Sequence, residues 1–403
     1  MKDISMNYRK VVLTFTPALF IYVLYAPLTL SAEYLIDAEL SPTLKYDDNV
    51  LLREDEDGSF FTVISPTLLL SRQTENTSFG IETGYKVERY TSLSDLDRQD
   101  PFAFFNGSVN TEKSTFGIRG GYSERAQRSI AEEDAGQFGS DSTVKTTELA
   151  PSFKYQISDK DFVYTDLSYQ DREYDSADSG VGQINSLADN ETIGLTAGWE
   201  RIFSERLTAG MALSYVTYEA DADNFQSDYD SYSAFLTATY RMTERWSLTG
   251  RGGYTRLESE RSIMQGPVLD DTTAGTQFGV VASYVGDYNL YSIEVARELN
   301  PSGEGVINEQ DLIAFIWQRD ISERLTAKLN ASYQMTESAA DFDNIDREYM
   351  VFSPSLSWLL RENLALDFGY QYRKVDGDTT AKADSNMVFM TLNYDWDGIR
   401  FSR

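Results

Sequence analysis

The segment Leu364-Ala-Leu-Asp-Phe-Gly-Tyr-Gln-Tyr-Arg373 alternates apolar and polar residues with a period of two. One face carries Leu364, Leu366, Phe368, Tyr370 and Tyr372, and the other carries Asp367, Gln371 and Arg373. This alternation is typical of a β-strand with one apolar and one polar face. The length is also close to the ~9–11 residues that a tilted strand needs to cross a bilayer. The segment therefore predicts a membrane-spanning strand.

The same pattern recurs along the chain. The approximate segments 34–46, 79–90, 147–157, 206–218 and 324–335 repeat it, and about eighteen such stretches can be distinguished by their periodicity. In the stretch 310–319 the sequence does not decide which face is the apolar one. Ile313, Phe315 and Trp317 lie on one face, and Leu312, Ala314 and Ile316 lie on the other.

The connections between these segments alternate in length. Short turns include three near copies, Phe203-Ser-Glu-Arg-Leu207, Met242-Thr-Glu-Arg-Trp246 and Ile321-Ser-Glu-Arg-Leu325. Tight turns at one end and long loops at the other are typical of outer-membrane barrels. The predicted long polar loops are 47–58, 91–100, 126–143, 171–190, 219–230, 256–273, 299–309, 336–346 and 375–385.

These features predict an all-β fold, a closed antiparallel up-and-down transmembrane β-barrel of about eighteen strands with short periplasmic turns and long extracellular loops. The short and long links also place both termini in the periplasm. A soluble β-sandwich is the alternative fold, but it would not need aromatic residues at two levels. All five tryptophans lie beside tight turns, whereas many tyrosines lie at the loop ends.

The first 32 residues are predicted to be a signal peptide, followed by a barrel domain over residues 33–403. Lys2, Arg9 and Lys10 precede an apolar run, and Ser31-Ala32 offers small residues for cleavage. The run is long enough to stay as a membrane anchor, which is the alternative. Export and the barrel pattern predict the outer membrane of a Gram-negative bacterium, with lipid and lipopolysaccharide as the surroundings.

Composition excludes several classes of function. The 403 residues include 35 basic and 64 acidic side chains, no cysteine and no histidine, so the formal net charge is −29. This charge argues against nucleic acid as a partner, and the missing residue types exclude imidazole and thiolate chemistry. We therefore expect no enzyme activity, no cofactor and no metal site. Acidic clusters such as Glu132-Glu133-Asp134 could bind Ca²⁺ or Mg²⁺, but a solvated anionic surface explains them more simply.

The polar faces of the segments predict the wall of the lumen. Both charge signs occur there among Ser, Thr, Gly and Gln residues, and a barrel of this size is wide enough to hold water. These side chains either pair across the wall as structural elements or form a hydrated conduit for a polar solute. The candidate lumen-lining residues are Glu82, Lys86, Arg119, Lys154, Glu200, Arg241, Arg251, Lys328, Asp367 and Arg373.

The stretch Leu40-Ser-Pro-Thr-Leu-Lys-Tyr46-Asp47-Asp48-Asn49-Val50 joins the first strand to the first loop. It resembles the start of the beta-barrel porin 2 family of Gram-negative outer-membrane proteins, whose members often stand in exopolysaccharide or capsule biosynthesis loci. The resemblance implies an outer-membrane barrel with a part in polysaccharide export and implies no catalytic residues. The end of the chain, Phe401-Ser402-Arg403, departs from the usual terminal aromatic residue.

Two hypotheses of function follow. The first is passage of a hydrophilic substrate, with a secreted polysaccharide delivered by periplasmic partners as the best candidate. The alternative is a structural or surface-interaction barrel with functional acidic loops, whose lumen is blocked by side chains or by an inward-folded loop such as 171–190.

Overall fold

The computed structural model of the chain describes residues 32–55, 57–131, 142–175, 187–222, 225–263, 268–340, 345–377 and 382–402. The predicted signal peptide lies outside these residues, apart from Ala32. Alternating sequence segments form long antiparallel strands, each paired with its neighbours in the chain. The first nine are β1 (Glu33–Asp47), β2 (Ser59–Gln73), β3 (Thr77–Tyr90), β4 (Arg98–Asn110), β5 (Ser114–Ala126), β6 (Thr143–Gln156), β7 (Asp161–Asp175), β8 (Asp189–Ser204) and β9 (Leu207–Ala222).

The second half continues the same meander and then closes it. Its strands are β10 (Phe225–Arg241), β11 (Trp246–Ile263), β12 (Val268–Val285), β13 (Asn289–Ser302), β14 (Val306–Ser322), β15 (Leu325–Ser338), β16 (Asp346–Arg361), β17 (Leu364–Gly377), β18 (Ala383–Asp395) and β19 (Ile399–Ser402). β18 pairs with β1, for example Met390 with Leu44, so the sheet has the form of a closed barrel. The predicted fold class, with eighteen strands in the ring, is confirmed.

The last strand is interrupted close to the periplasmic end. β18 ends at Asp395, and β19 then resumes the pairing with β1, where Phe401 lies opposite Tyr34. The two rings stack at 5.0 Å between centroids. Gly398 allows the break because its φ is +63°, in the left-handed region that favours glycine. The terminal strand therefore reaches Ser402, and an aromatic ring close to its end packs on the first strand.

The apolar face of each strand points outward. Leu213 and Leu236, on β9 and β10, are 66% and 70% exposed, as expected for side chains that would face lipid. In β14, Ile313 pairs with Val295 and with Tyr333, so the face with Ile313, Phe315 and Trp317 is the outer one. The exposed Trp246, Trp358 and Trp396 lie near the tight turns. Within the described residues, no helix has the length and hydropathy to cross a membrane.

Several predicted loops are wrong, because the strands extend far beyond the apolar band. Residues predicted as loops 219–230, 256–273, 299–309 and 375–385 belong largely to strands β9 to β18, as far as they are described. Asp171–Asp175 likewise ends β7. Outside the bilayer both faces of a strand can be polar. The sequence of these strand ends therefore lacks the apolar alternation by which strands are recognised. The other regular elements at this end are a 3₁₀ turn, Ser94–Leu96, and a short helix, α1 (Gln127–Ile130).

Candidate functional site

The inner wall of the barrel differs between its two ends. In an antiparallel sheet, residues that lie directly opposite one another are on the same face. The observed register places all ten candidate residues on the inner face of the barrel. Glu82, Arg119, Lys154, Arg251 and Lys328 are exposed to solvent. The periplasmic and middle parts of the lumen are therefore lined by hydrated polar side chains.

Some of the ten candidate residues are brought into ion pairs and others are not. Lys154 Nζ lies 2.8 Å from Glu200 Oε2, and Lys86 Nζ lies 2.7 Å from Glu88 Oε1. Arg251 pairs with Glu298. Asp367 accepts a hydrogen bond from Asn393. Within the part of the chain that the structure describes, Glu82, Arg119, Arg241 and Lys328 form no ion pair.

The solvent-accessible inner wall carries more acidic than basic side chains. The basic ones below the buried extracellular end are Lys45, Lys86, Arg119, Lys154, Arg241, Arg251 and Lys328. The acidic ones are Asp37, Glu39, Glu82, Glu148, Asp166, Glu200, Glu294, Glu298, Asp320, Asp367 and Asp395. Charges of one sign in a water-filled passage raise the local concentration of counter-ions. This part of the lumen favours cations.

At the extracellular end the inward side chains are buried instead. The buried set runs around the mouth of the barrel and mixes apolar and polar residues. It includes Asp47, Phe61, Val63, Glu88, Tyr90, Asp100, Ser123, Thr146, Asn190, Tyr218, Tyr229, Leu257, Thr336, Arg347, Tyr349, Val375, Ser385 and Met387. Two chain segments fold into the mouth and cover many of these residues.

The first of these segments is the first loop, residues 48–58, which is held by the stretch that carries the family resemblance. Asp47 Oδ2 accepts a hydrogen bond of 2.7 Å from Arg373, and its Oδ1 accepts one of 2.6 Å from Ser385. Asp48 accepts two hydrogen bonds from Asn386, at 2.7 Å to the backbone amide and 2.9 Å to the side chain. Asn49, almost fully buried, donates to the carbonyl of Asp384 at 3.0 Å. The stretch thus fixes the first loop to the opposite side of the closing seam.

Apolar contacts then hold the first loop inside the mouth. Val50 and Leu51 pack with Phe61, Val63 and other residues of the inner wall. Leu52, at a left-handed φ of 47°, reaches Tyr349, Val351 and Val375 on the inner faces of β16 and β17, and Ala131 after α1. These contacts join distant parts of the barrel wall through one loop.

Helix α1 adds a buried ionic network beside this loop. Arg128 Nη2 lies 3.1 Å from Glu88 Oε2 and donates to the Tyr90 hydroxyl at 3.2 Å. Glu88 also accepts from Tyr90 at 3.0 Å. Burial costs charged groups their hydration, and the shared hydrogen bonds offset that cost. The network ties the helix to β3.

The second segment is the inner hairpin, which we define as residues 298–309 at the ends of β13 and β14. Leu299 and Ile307 are in phase with the outward residues Val295 and Ile313 of their strands. They nevertheless pack against Tyr218, Tyr229 and Leu257 on the inner face of β9 to β11. Tyr218 donates to the carbonyl of Ser302 at 2.6 Å. The tip of the hairpin has therefore left the cylindrical wall and lies inside it, while Asn308 and Glu309 stay paired with β15.

The outer face above the lipid band is strongly acidic. Register places six acids opposite one another in a row across β7 to β12: Asp171, Glu191, Glu219, Asp228, Glu260 and Asp270. Nearer the closing seam, Asp376 accepts a hydrogen bond from Lys382 and so raises the pKa of that lysine above its ordinary value. Among the described residues, no three His, Cys, Asp or Glu side chains converge as a metal site would require.

Sequence reasoning missed the residues that fill the mouth. Tyr218, Leu257 and Val375 are apolar residues in the inward phase of their strands. Apolar residues at inward positions near the loop end of a strand would have indicated that another segment packs against them inside the barrel. The predicted inward-folded loop 171–190 falls partly outside the described residues, but its Ala188 is fully buried against the inner hairpin.

Comparison with known proteins supports the fold. The autotransporter beta-domain family matches residues 176–295, and no curated protein sequence matches. The unliganded ferric citrate transporter FecA has a TM-score of 0.52 and 9% identity, over 91% of this chain and 70% of that one. OccAB4 of Acinetobacter baumannii has a TM-score of 0.45 and 11% identity, over 93% and 100%. OccK2 (OpdF) of Pseudomonas aeruginosa with glucuronate has a TM-score of 0.42 and 11% identity, over 89% and 98%.

The chain is an outer-membrane β-barrel, similar in fold to the transporter FecA, and it is located in the outer membrane of a Gram-negative bacterium. At these identities the likeness concerns the fold alone. The resemblance to the beta-barrel porin 2 family stays a prediction.

Proposed function

We propose that the barrel gives passage to a hydrophilic substrate across the outer membrane, and that the substrate is a secreted polysaccharide. The observation that carries this proposal is the solvent-exposed inner wall, where side chains of both charge signs face water below the mouth. Such a wall can replace the hydration of a polar polymer at little cost. The resemblance at Tyr46 to Asn49 supports a place in polysaccharide export, with periplasmic partners that deliver the polymer and lipopolysaccharide around the barrel.

The buried mouth favours a second candidate function. If the first loop and the inner hairpin stay in place, the barrel is a surface-interaction protein whose acidic outer face and loops carry the function. The two candidates differ in one measurable property, the passage of ions and sugars. Neither candidate requires catalysis, and the structures reported above are transporters and porins.

The test is ion conductance of the purified protein in planar bilayers. We expect discrete, cation-selective channels, because acidic side chains predominate on the accessible inner wall. Arg251→Glu should increase the preference for cations, since Arg251 faces the lumen and is half-exposed. Arg256→Glu is the matched control, because the same strand carries Arg256 on its outer face, and it should leave selectivity unchanged.

Absence of conductance, even after the inner hairpin is shortened, would favour the surface-interaction candidate. The polysaccharide is tested separately in cells that lack the protein. We expect them to lose secreted polymer and to accumulate it in the periplasm. Normal secretion together with normal conductance would support passage through the barrel but reject the polysaccharide as its substrate.

A further inference from the structure

The ladder between β12 and β13 stops half-way up the barrel. It runs from Val285 opposite Leu290 to Phe278 opposite Arg297 and no further. Above this point β12 continues to Val268 paired with β11 alone, while β13 continues to Ser302 paired with β14 alone. One edge of β12 therefore has no neighbouring strand over residues 273–277, which is an unfavourable feature in a barrel.

The missing neighbour of this edge is the inner hairpin. Its carbonyls at Ser302 and Gly305 accept hydrogen bonds from Tyr218 at 2.6 Å and from Arg261 at 2.9 Å. Ala188 donates its amide to the Gly303 carbonyl at 2.8 Å. On the far side, Glu304 Oε1 lies 3.6 Å from Arg347 Nη2 on β16. The hairpin thus extends from the β9–β11 wall toward β16, across the mouth.

We propose that the inner hairpin is a gate that moves between the mouth and the gap in the wall. In the open state residues 298–302 pair with residues 273–277 by continuing the register, so that Ser302 lies opposite Thr273. The proposal deepens the passage function proposed above and rests on it. The gate would clear its part of the mouth, beside the fixed first loop, without unfolding any other strand.

Each of the two states satisfies groups that the other leaves unpaired. The state described here buries Leu299 and Ile307 against the inner wall but leaves the β12 edge without a partner. The open state gains backbone hydrogen bonds along that edge, at most positions other than Pro301, which has no amide proton. In return it gives up the apolar contacts and the hydrogen bonds from Tyr218, Arg261 and Ala188. Two packings with such opposite gains are the requirement for a bistable element.

The chain lacks cysteine, so disulfide cross-links can capture each state. Thr273→Cys with Ser302→Cys reports the open state. In the state described here, Ser302 accepts a hydrogen bond from Tyr218 on β9 and is not paired with β12. A disulfide needs Cα atoms within ~7 Å. Under oxidation in native membranes we expect this pair to cross-link, and the channel to stay continuously open in bilayers until it is reduced.

Ala188→Cys with Gly305→Cys captures the state in the mouth. A Cβ atom built at Gly305 lies 3.5 Å from the Cβ of Ala188, within the range for a disulfide. Oxidation should abolish conductance, and reduction should restore it. Gly305 has a φ of +74°, and a side chain there contacts Phe225. Gly305→Cys alone is therefore the control for the substitution itself, and heat-dependent gel mobility verifies that every barrel is folded.

The results separate this inference from the passage function. If the Thr273–Ser302 pair fails to cross-link although both cysteines react with a soluble maleimide, the hairpin does not enter the wall. The gate is equally rejected if the wild-type barrel conducts, this cross-link forms and conductance does not rise. If wild type and every variant are silent while the cross-link forms, the hairpin moves and the proposed passage is wrong.

Discussion

The two segments that fill the mouth are held in opposite ways. The first loop is tied to a continuous wall by charged and amide hydrogen bonds, from Asp47 to Arg373 and from Asp48 to Asn386. The inner hairpin rests on apolar contacts and on hydrogen bonds from Tyr218 and Arg261 to its backbone carbonyls, and the wall beside it is open. Directional bonds to a charged group lose most of their strength with small displacements, whereas apolar contacts have no direction. The comparison indicates a fixed part and a movable part of one closure.

Asp47→Asn should have the largest effect on the closure of the mouth, because it removes a charged partner that holds the first loop. Arg373 would lose the carboxylate that compensates its buried charge, at a cost of about 3 kcal/mol. If cleavage follows the population of the detached loop, trypsin should cut after Arg53 roughly a hundredfold faster. Asp55→Asn, in the same loop but exposed, is the control and should leave the rate unchanged. Equal rates for both variants would show that the Asp47 network does not hold the loop.

Arg261→Met should have an intermediate effect on the movable part. The guanidinium donates to Gly305 and, at 2.9 Å, to Ser227. Hydrogen bonds to charged groups contribute about 1.5–3 kcal/mol, so we expect the open fraction to rise roughly tenfold or more. The measurement is the cross-linking rate of the Thr273–Ser302 cysteine pair. Arg256→Met, on the outer face of β11, should not change it; a similar rate increase there would point to a general loosening of the strand.

Tyr218→Phe should have the smallest effect of the three. It removes one neutral hydrogen bond to Ser302, which contributes about 0.5–1.5 kcal/mol, and keeps the ring in its apolar cluster. Single-channel records should show openings about fivefold more frequent. Tyr215→Phe, on the outer face of β9, is the matched control. If Tyr218→Phe raised the open fraction more than Arg261→Met, the order of contributions assigned to the hairpin contacts would be wrong.

The sequence predicted most of the barrel wall and little of its mouth. Outward Leu, Phe and Tyr residues mark strands wherever lipid is present, because hydrocarbon demands an apolar face. Above the lipid band, the segment Arg256–Arg261 of β11 carries Arg256, Glu258 and Glu260 on its outer face and Leu257 on its inner face. This polar outer face therefore predicts a loop from the sequence. The two inward segments depend on contacts between residues far apart in the chain, such as Leu52 with Val375 and Ile307 with Tyr218. No local pattern encodes such pairs.

The carboxylate of Asp47 and its partner Arg373 are 326 positions apart, on the two sides of the closing seam. Contacts of such high separation form late, since the whole intervening chain must be ordered first. β1 meets β18 only when the ring is complete. Until that moment Arg373 has no anion beside it, and the first loop has no place to dock. Only a finished cylinder therefore acquires the contacts that hold the first loop across its outer end.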